Sequence, residues 1–126
     1  MDLVNILSMA YHNLTGNLGE EMAVKHLLDK GYTILHRNWR HKNWEIDIIA
    51  SKNSTIHFIE VKTRRTTTFG YPEEDVSKKK VKYLMGAAEE FLLLNPGWKL
   101  IQFDILSITM EKNKTPEFFL IEDVSL

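Results

Sequence analysis

Apolar positions along this chain recur in two rhythms, one of about 3.6 residues and one of 2. From Thr15 to Lys30 the spacing is helical. Ala23, Val24, Leu27 and Leu28 share a stripe, while Lys25, His26 and Asp29 lie opposite. Thr15 or Asn17 can cap this helix, and Gly31 stands where a helix-ending glycine belongs. Strand patterns follow at Tyr32–Trp39, Trp44–Ser51 and Thr55–Thr63, rich in isoleucine, valine and aromatic residues. Thr66–Tyr71 is polar, contains Gly70 and precedes Pro72, so it reads as a loop. Ser77–Leu94 is a second helix, closed by Asn95-Pro96-Gly97. Two more strands are expected at Trp98–Thr109 and Pro116–Val124. The order α-β-β-β-α-β-β predicts an α/β fold, a mixed central sheet flanked by helices. No repeat or linker divides the chain, which predicts one domain over 1–126, with 1–13 as an N-terminal extension.

Three places break the pattern. Glu20 falls in the middle of the first helix's apolar stripe. Either it forms a capping box with Asn17 or it serves a buried site, because an unpaired buried carboxylate costs several kcal/mol. Asp47 sits within Glu45-Ile46-Asp47-Ile48-Ile49-Ala50, a strand apolar on both faces, where aspartate is disfavoured. It is either a structural carboxylate paired with an arginine or a functional group. Glu60 and Lys62 share a face with Ile56 and Phe58, either as an exposed edge pair or as part of a site. A two-residue hairpin loop at Lys52-Asn53 would set Asp47 opposite Phe58, diagonal to Glu60 and on the same face. Two or three carboxylates beside a lysine suit Mg²⁺ or Mn²⁺, which take oxygen ligands.

Composition narrows the classes further. The absence of cysteine excludes disulfides, thiolate metal sites and a cysteine nucleophile. No basic leader and no apolar run of membrane-spanning length appears, so a soluble, cytoplasmic protein with no membrane partner is expected. Net charge is −1, but from His36 to Lys82 lysine and arginine outnumber aspartate and glutamate by 11 to 6. A basic middle between acidic ends fits either a nucleic-acid face or a mixed solvated surface.

Over Thr15 to Ile108 the motifs, in order, are Gly16-x-x-Gly19-Glu20-x-x-Ala23, Arg37-Asn38-Trp39-Arg40, Glu45-Ile46-Asp47-Ile48-Ile49-Ala50, Phe58-Ile59-Glu60-Val61-Lys62-x-Arg64 and Phe103-Asp104-Ile105. Asp47 with Glu60-x-Lys62 resembles the Asp…(Asp/Glu)-x-Lys signature of restriction-endonuclease-like nucleases. The full series resembles the YraN-like family, small bacterial proteins regarded as predicted endonucleases related to archaeal Holliday-junction resolvases. That resemblance implies a restriction-endonuclease-like core and metal-dependent hydrolysis of DNA, with branched or damaged DNA as the substrate shape. It implies Asp47, Glu60 and the main-chain carbonyl near Val61 as ligands of Mg²⁺ or Mn²⁺. Lys62 would be the third catalytic position, and Glu20 a further acid acting directly or through water. A homodimer is a further expectation, since resolvases of that wider group often pair. Two positions depart from the family pattern: Trp44 replaces the usual glycine before Glu-Ile-Asp, and Gln102 the usual arginine before Phe-Asp.

Arg37, Arg40 and Lys42 interleave with Trp39 and Trp44, supplying cations for phosphates and rings for bases. Arg64, Arg65 and Lys80 extend this candidate DNA surface. Trp39 could equally be core, and the lysines a solvated face. Of the five histidines, none has zinc-ligand spacing, and His57 alternates away from Glu60. Two alternatives to a nuclease stay open: a DNA-binding module with this fold that does not cleave, and a protein-interaction adaptor.

Overall fold

The computed structural model describes residues 18–65 and 77–125. Within them, α1 is helical over 18–29 and is followed by β1 (Thr33–His41), β2 (Trp44–Lys52), β3 (Thr55–Arg64), α2 (Lys78–Leu94), β4 (Leu100–Thr109) and β5 (Glu117–Ile121). The expected caps at Thr15 and Asn17, the extension over 1–13 and the loop at Thr66–Tyr71 lie outside the described residues. The five strands form one sheet in sequential order, antiparallel throughout except for the parallel β3–β4 pair. The parallel pair requires a crossover, and α2 provides it. Ser77 caps α2, its hydroxyl accepting the Lys80 N–H at 3.2 Å.

The two helices cover opposite faces. Ala23 and Leu27 of α1 pack with Ile48, Ala50, Ile59, Leu106 and Ile108. Leu84, Ala87, Ala88 and Phe91 of α2 pack with Ile46, Ile49, Ile56 and Phe58. Strands lined on both sides in this way read as near-continuous apolar runs, which explains the sequence of β2. Leu28, expected in the α1 stripe, is exposed instead. Close contact sets the position of α1: a methyl group added at Gly19 would collide with the Thr63 side chain of β3. No helix among the described residues is long and apolar enough to cross a membrane.

The β2–β3 turn is Asn53-Ser54, not Lys52-Asn53, since Lys52 pairs with Thr55. Both turn residues have positive φ, 51° and 66°, the conformation that matches the twist of a tight hairpin. The register therefore moves by two residues from the expected one. The pairing stops at Ile48–Ile59, so Asp47 and Glu60 form no rung of the ladder, but both line one cleft. The β1–β2 register shifts between Ile34 and His36, and further along Asn38, between the pairs Arg37–Ile48 and Trp39–Ile46, has φ 49°. Opposite it, the alternation of β2 breaks at Asp47. Ile46 packs on the α2 side and Ile48 on the α1 side.

Candidate metal and nucleic-acid site

The β2–β3 ladder ends at the Ile48–Ile59 pair. One step further, the Asp47 side chain replaces the missing rung. Its Oδ2 accepts the Val61 N–H at 2.8 Å. A strand residue's N–H and C=O point to the same side, so the Val61 carbonyl also faces the gap between β2 and β3. Glu60, Asp47, Glu45 and Ile46 form one wall of a cleft of about 410 Å³, and Lys79, Lys80, Tyr83 and Leu84 of α2 form the other. Lys62 follows two residues after Glu60 on β3. It is half-buried and does not line this cleft.

The electrostatics are unfavourable for the protein alone. Burial pushes the Asp47 carboxyl from 3.8 up to about 6, and the negative charges of Glu60, Glu20 and Glu45 add to the rise. The Val61 N–H opposes it. Among the described residues, Asp47, Glu60 and Lys62 have no ion-pair partner within 4.0 Å. The arginine partner that would make Asp47 a structural carboxylate is therefore not found among them. A strained acidic pair of this kind fits a hard divalent cation, which would neutralise both charges. Among the described residues no three Asp, Glu or His side chains converge to hold an ion by themselves. The donors available are two carboxylates and a backbone carbonyl, with the remaining positions left to water or phosphate oxygens, a set that suits Mg²⁺.

Glu20 approaches from α1. Its charge is felt at Asp47, while its Oε2 accepts the Asn38 amide at 3.1 Å. Asn38, the left-handed residue opposite Asp47, was not singled out from sequence; an asparagine inside a strand pattern was the available signal. Arg37 pairs with Glu21 at 2.6 Å, and Arg40 with Glu45 at 2.9 Å. Lys42 and His41 both meet Glu90, at 3.4 and 3.2 Å. The Arg37–Glu21 and Arg40–Glu45 pairs are exposed and worth about 0–1 kcal/mol each, whereas Glu90 is partly buried. Arg64 ends β3 and Arg65 follows it, beyond the α1 contact at Thr63.

The rings occupy defined places. Trp39 sits edge-on to Phe91 against the α2-side core. Trp44 packs over Gly86, where an added methyl carbon would lie 2.7 Å from its ring, and tilts against Tyr83. Of the clustered lysines, Lys80 lines the cleft and Lys79 joins it, whereas Lys82 faces a separate groove beside Trp44. Lys79 and Tyr83 were not foreseen. Helical spacing from Lys80 would have indicated Tyr83.

Away from the cleft, His57 Nδ1 and the fully buried Asp104 Oδ2 are 2.8 Å apart. Asp104 Oδ1 accepts the Gln102 amide and the Asp123 N–H, both at 2.9 Å. Gln102 thus supplies the carboxylate with a neutral donor. This cluster fastens the segment after β5 to β4 and does not touch the cleft.

Residues 19–108 match the profile described as "Uncharacterised protein family UPF0102". A UPF0102 protein of Phocaeicola vulgatus is 41% identical over 116 residues, covering 92% of this chain and 93% of that one. A UPF0102 protein of Caldicellulosiruptor saccharolyticus is 44% identical over 110 residues, covering 86% and 93%. One of Persephonella marina is 44% identical over 96 residues, covering 75% and 83%.

Proposed function

This chain belongs to the UPF0102 family, and we propose that its cleft is the active site of a metal-dependent endonuclease acting on DNA. The observation that carries the reading is the Asp47–Glu60 pair: two partly buried carboxylates lining one cleft where the ladder ends, without an ion-pair partner among the described residues, and with the Asp47 pKa raised. Such a pair is a poor stability device and a good cation site. Asp47, Glu60 and the Val61 carbonyl would hold Mg²⁺ or Mn²⁺. The bound ion supplies Lewis-acid activation of water and neutralises charge on a phosphoryl oxygen.

The chain's own groups do the rest. The Val61 N–H fixes the Asp47 carboxylate at 2.8 Å, so the ligand is oriented before any ion arrives. Lys79 and Lys80 line the opposite wall, where they attract the phosphate backbone. Lys62, two residues after Glu60 on β3, would reach in from outside the cleft lining to position the attacking water and offset developing negative charge. Glu20, held by Asn38, acts at longer range, its carboxylate available to a water on the Asp47 side.

The test is cleavage of labelled single-stranded, flap, four-way and linear duplex DNA with Mg²⁺ or Mn²⁺. Cleavage that needs the metal supports the nuclease. Binding without metal and without cutting replaces it with a DNA-binding module, and neither binding nor cutting leaves the adaptor reading.

A further inference from the structure

We infer that Tyr83 is a stacking platform for an unpaired nucleobase beside the cut site, which makes nucleic acid with single-stranded character the preferred occupant of the cleft. This rests on the nuclease reading and adds a specificity-determining residue to it.

Tyr83 projects from α2 into the wall facing Asp47 and Glu60. Its hydroxyl is fully used: it accepts the Glu45 N–H at 3.0 Å and donates to the Asn43 carbonyl at 3.2 Å. Those two bonds bolt the ring to the β1–β2 turn. Behind it stands Trp44, 5.1 Å away between centroids, and Trp44 is itself braced by Gly86. Despite this bracing, the tyrosine remains 43% exposed. A ring fixed at its tip, braced by a tilted neighbour and 43% exposed offers a flat partner a surface with little ordering cost.

The surroundings identify that partner. Lys79 and Lys80 precede Tyr83 by one helical turn on the same wall and suit backbone phosphates. A strand whose phosphates follow these lysines toward the carboxylates brings a nucleoside against the ring. A paired base is stacked within its duplex and presents no face to it, whereas an unpaired base does. Stacking is tolerant of sequence, so the device reads the shape of the substrate.

The test uses Ca²⁺ in place of Mg²⁺, to slow cutting, and fluorescence anisotropy of a labelled single strand carrying one abasic position, moved base by base across the mapped cut site. Wild-type protein should lose about tenfold in affinity at one position, consistent with the ~1–3 kcal/mol of one base on an aromatic ring. It should also bind the intact single strand about tenfold tighter than the same sequence as duplex. Tyr83→Phe, which keeps the ring and loses the bolt, should retain most of the affinity. Tyr83→Ala should bind the intact strand as weakly as wild type binds the abasic one, and show no further abasic loss. A flat abasic scan with wild type overturns the inference without any variant, and so does an abasic loss that persists in Tyr83→Ala. Duplex and single strand cut and bound equally leave the nuclease standing and remove the platform. Absence of all DNA binding removes both.

Discussion

Replacing Asp47 by asparagine should stabilise the metal-free protein while destroying its function. Asparagine keeps an oxygen to accept the Val61 N–H and removes the charge. Holding that charge against a pKa raised from 3.8 to about 6 costs about 3 kcal/mol at any pH well above 6, at about 1.4 kcal/mol per unit. Because the pKa is raised on folding, wild-type stability from this group is complete below pH 3.8 and is lost as pH climbs through about 6. The variant has no such loss. Its advantage should therefore be about 1 kcal/mol at pH 4.5 and about 3 kcal/mol at pH 7.5. Urea denaturation of both proteins with a chelator present, at the two pH values, measures this directly. Adding Mg²⁺ at pH 7.5 should then raise the wild type and leave the variant unchanged, by about 1.4 kcal/mol for each tenfold excess over the dissociation constant. An advantage equal at both pH values, or smaller at pH 7.5, would refute the claim that an uncompensated charge is stored at Asp47.

Three other outcomes are expected. Gly19→Ala should destabilise the protein by about 1–3 kcal/mol in urea melts, because the new methyl meets Thr63 and α1 must move off β3. Asp104→Ala should cost about 3–5 kcal/mol, leaving His57, Gln102 and the Asp123 N–H without their acceptor; a loss below about 1 kcal/mol would contradict the fastening role. The double variant Lys79→Ala, Lys80→Ala should weaken DNA binding evenly across sequences. It should also flatten the plot of log affinity against log salt by roughly 1.4–1.8, about 0.7–0.9 for each phosphate no longer neutralised.

The sequence carried the element order, because hydrophobic period and alternation are local properties. It carried the anomaly at Asp47 for the same reason: an acid in a run apolar on both faces is visible without a fold. The exact pairing was not legible. The Asn53-Ser54 turn places a serine at φ 66°, which serine does not advertise, so the expected register was off by two residues. Glu20 stood out as an acid in an apolar stripe, yet its partner Asn38 depends on a left-handed kink in another element. Helical spacing from Lys80 points to Tyr83, but the bonds that fix its ring, to Asn43 and Glu45 some forty residues away, were not legible. Gln102 read as a lost charge, and its bond to Asp104 gives that substitution a local use.

The most direct measurement is the single-turnover rate of DNA cleavage at saturating protein, with Mg²⁺, for wild type, Glu60→Gln and Lys62→Ala. The account predicts a metal-dependent wild-type rate that falls by at least about 10²–10³-fold in both variants, the scale of removing one group that stabilises transition-state charge. Both variants should still bind the same DNA. Cleavage that survives in Glu60→Gln, or proceeds undiminished in the presence of a chelator, would contradict it.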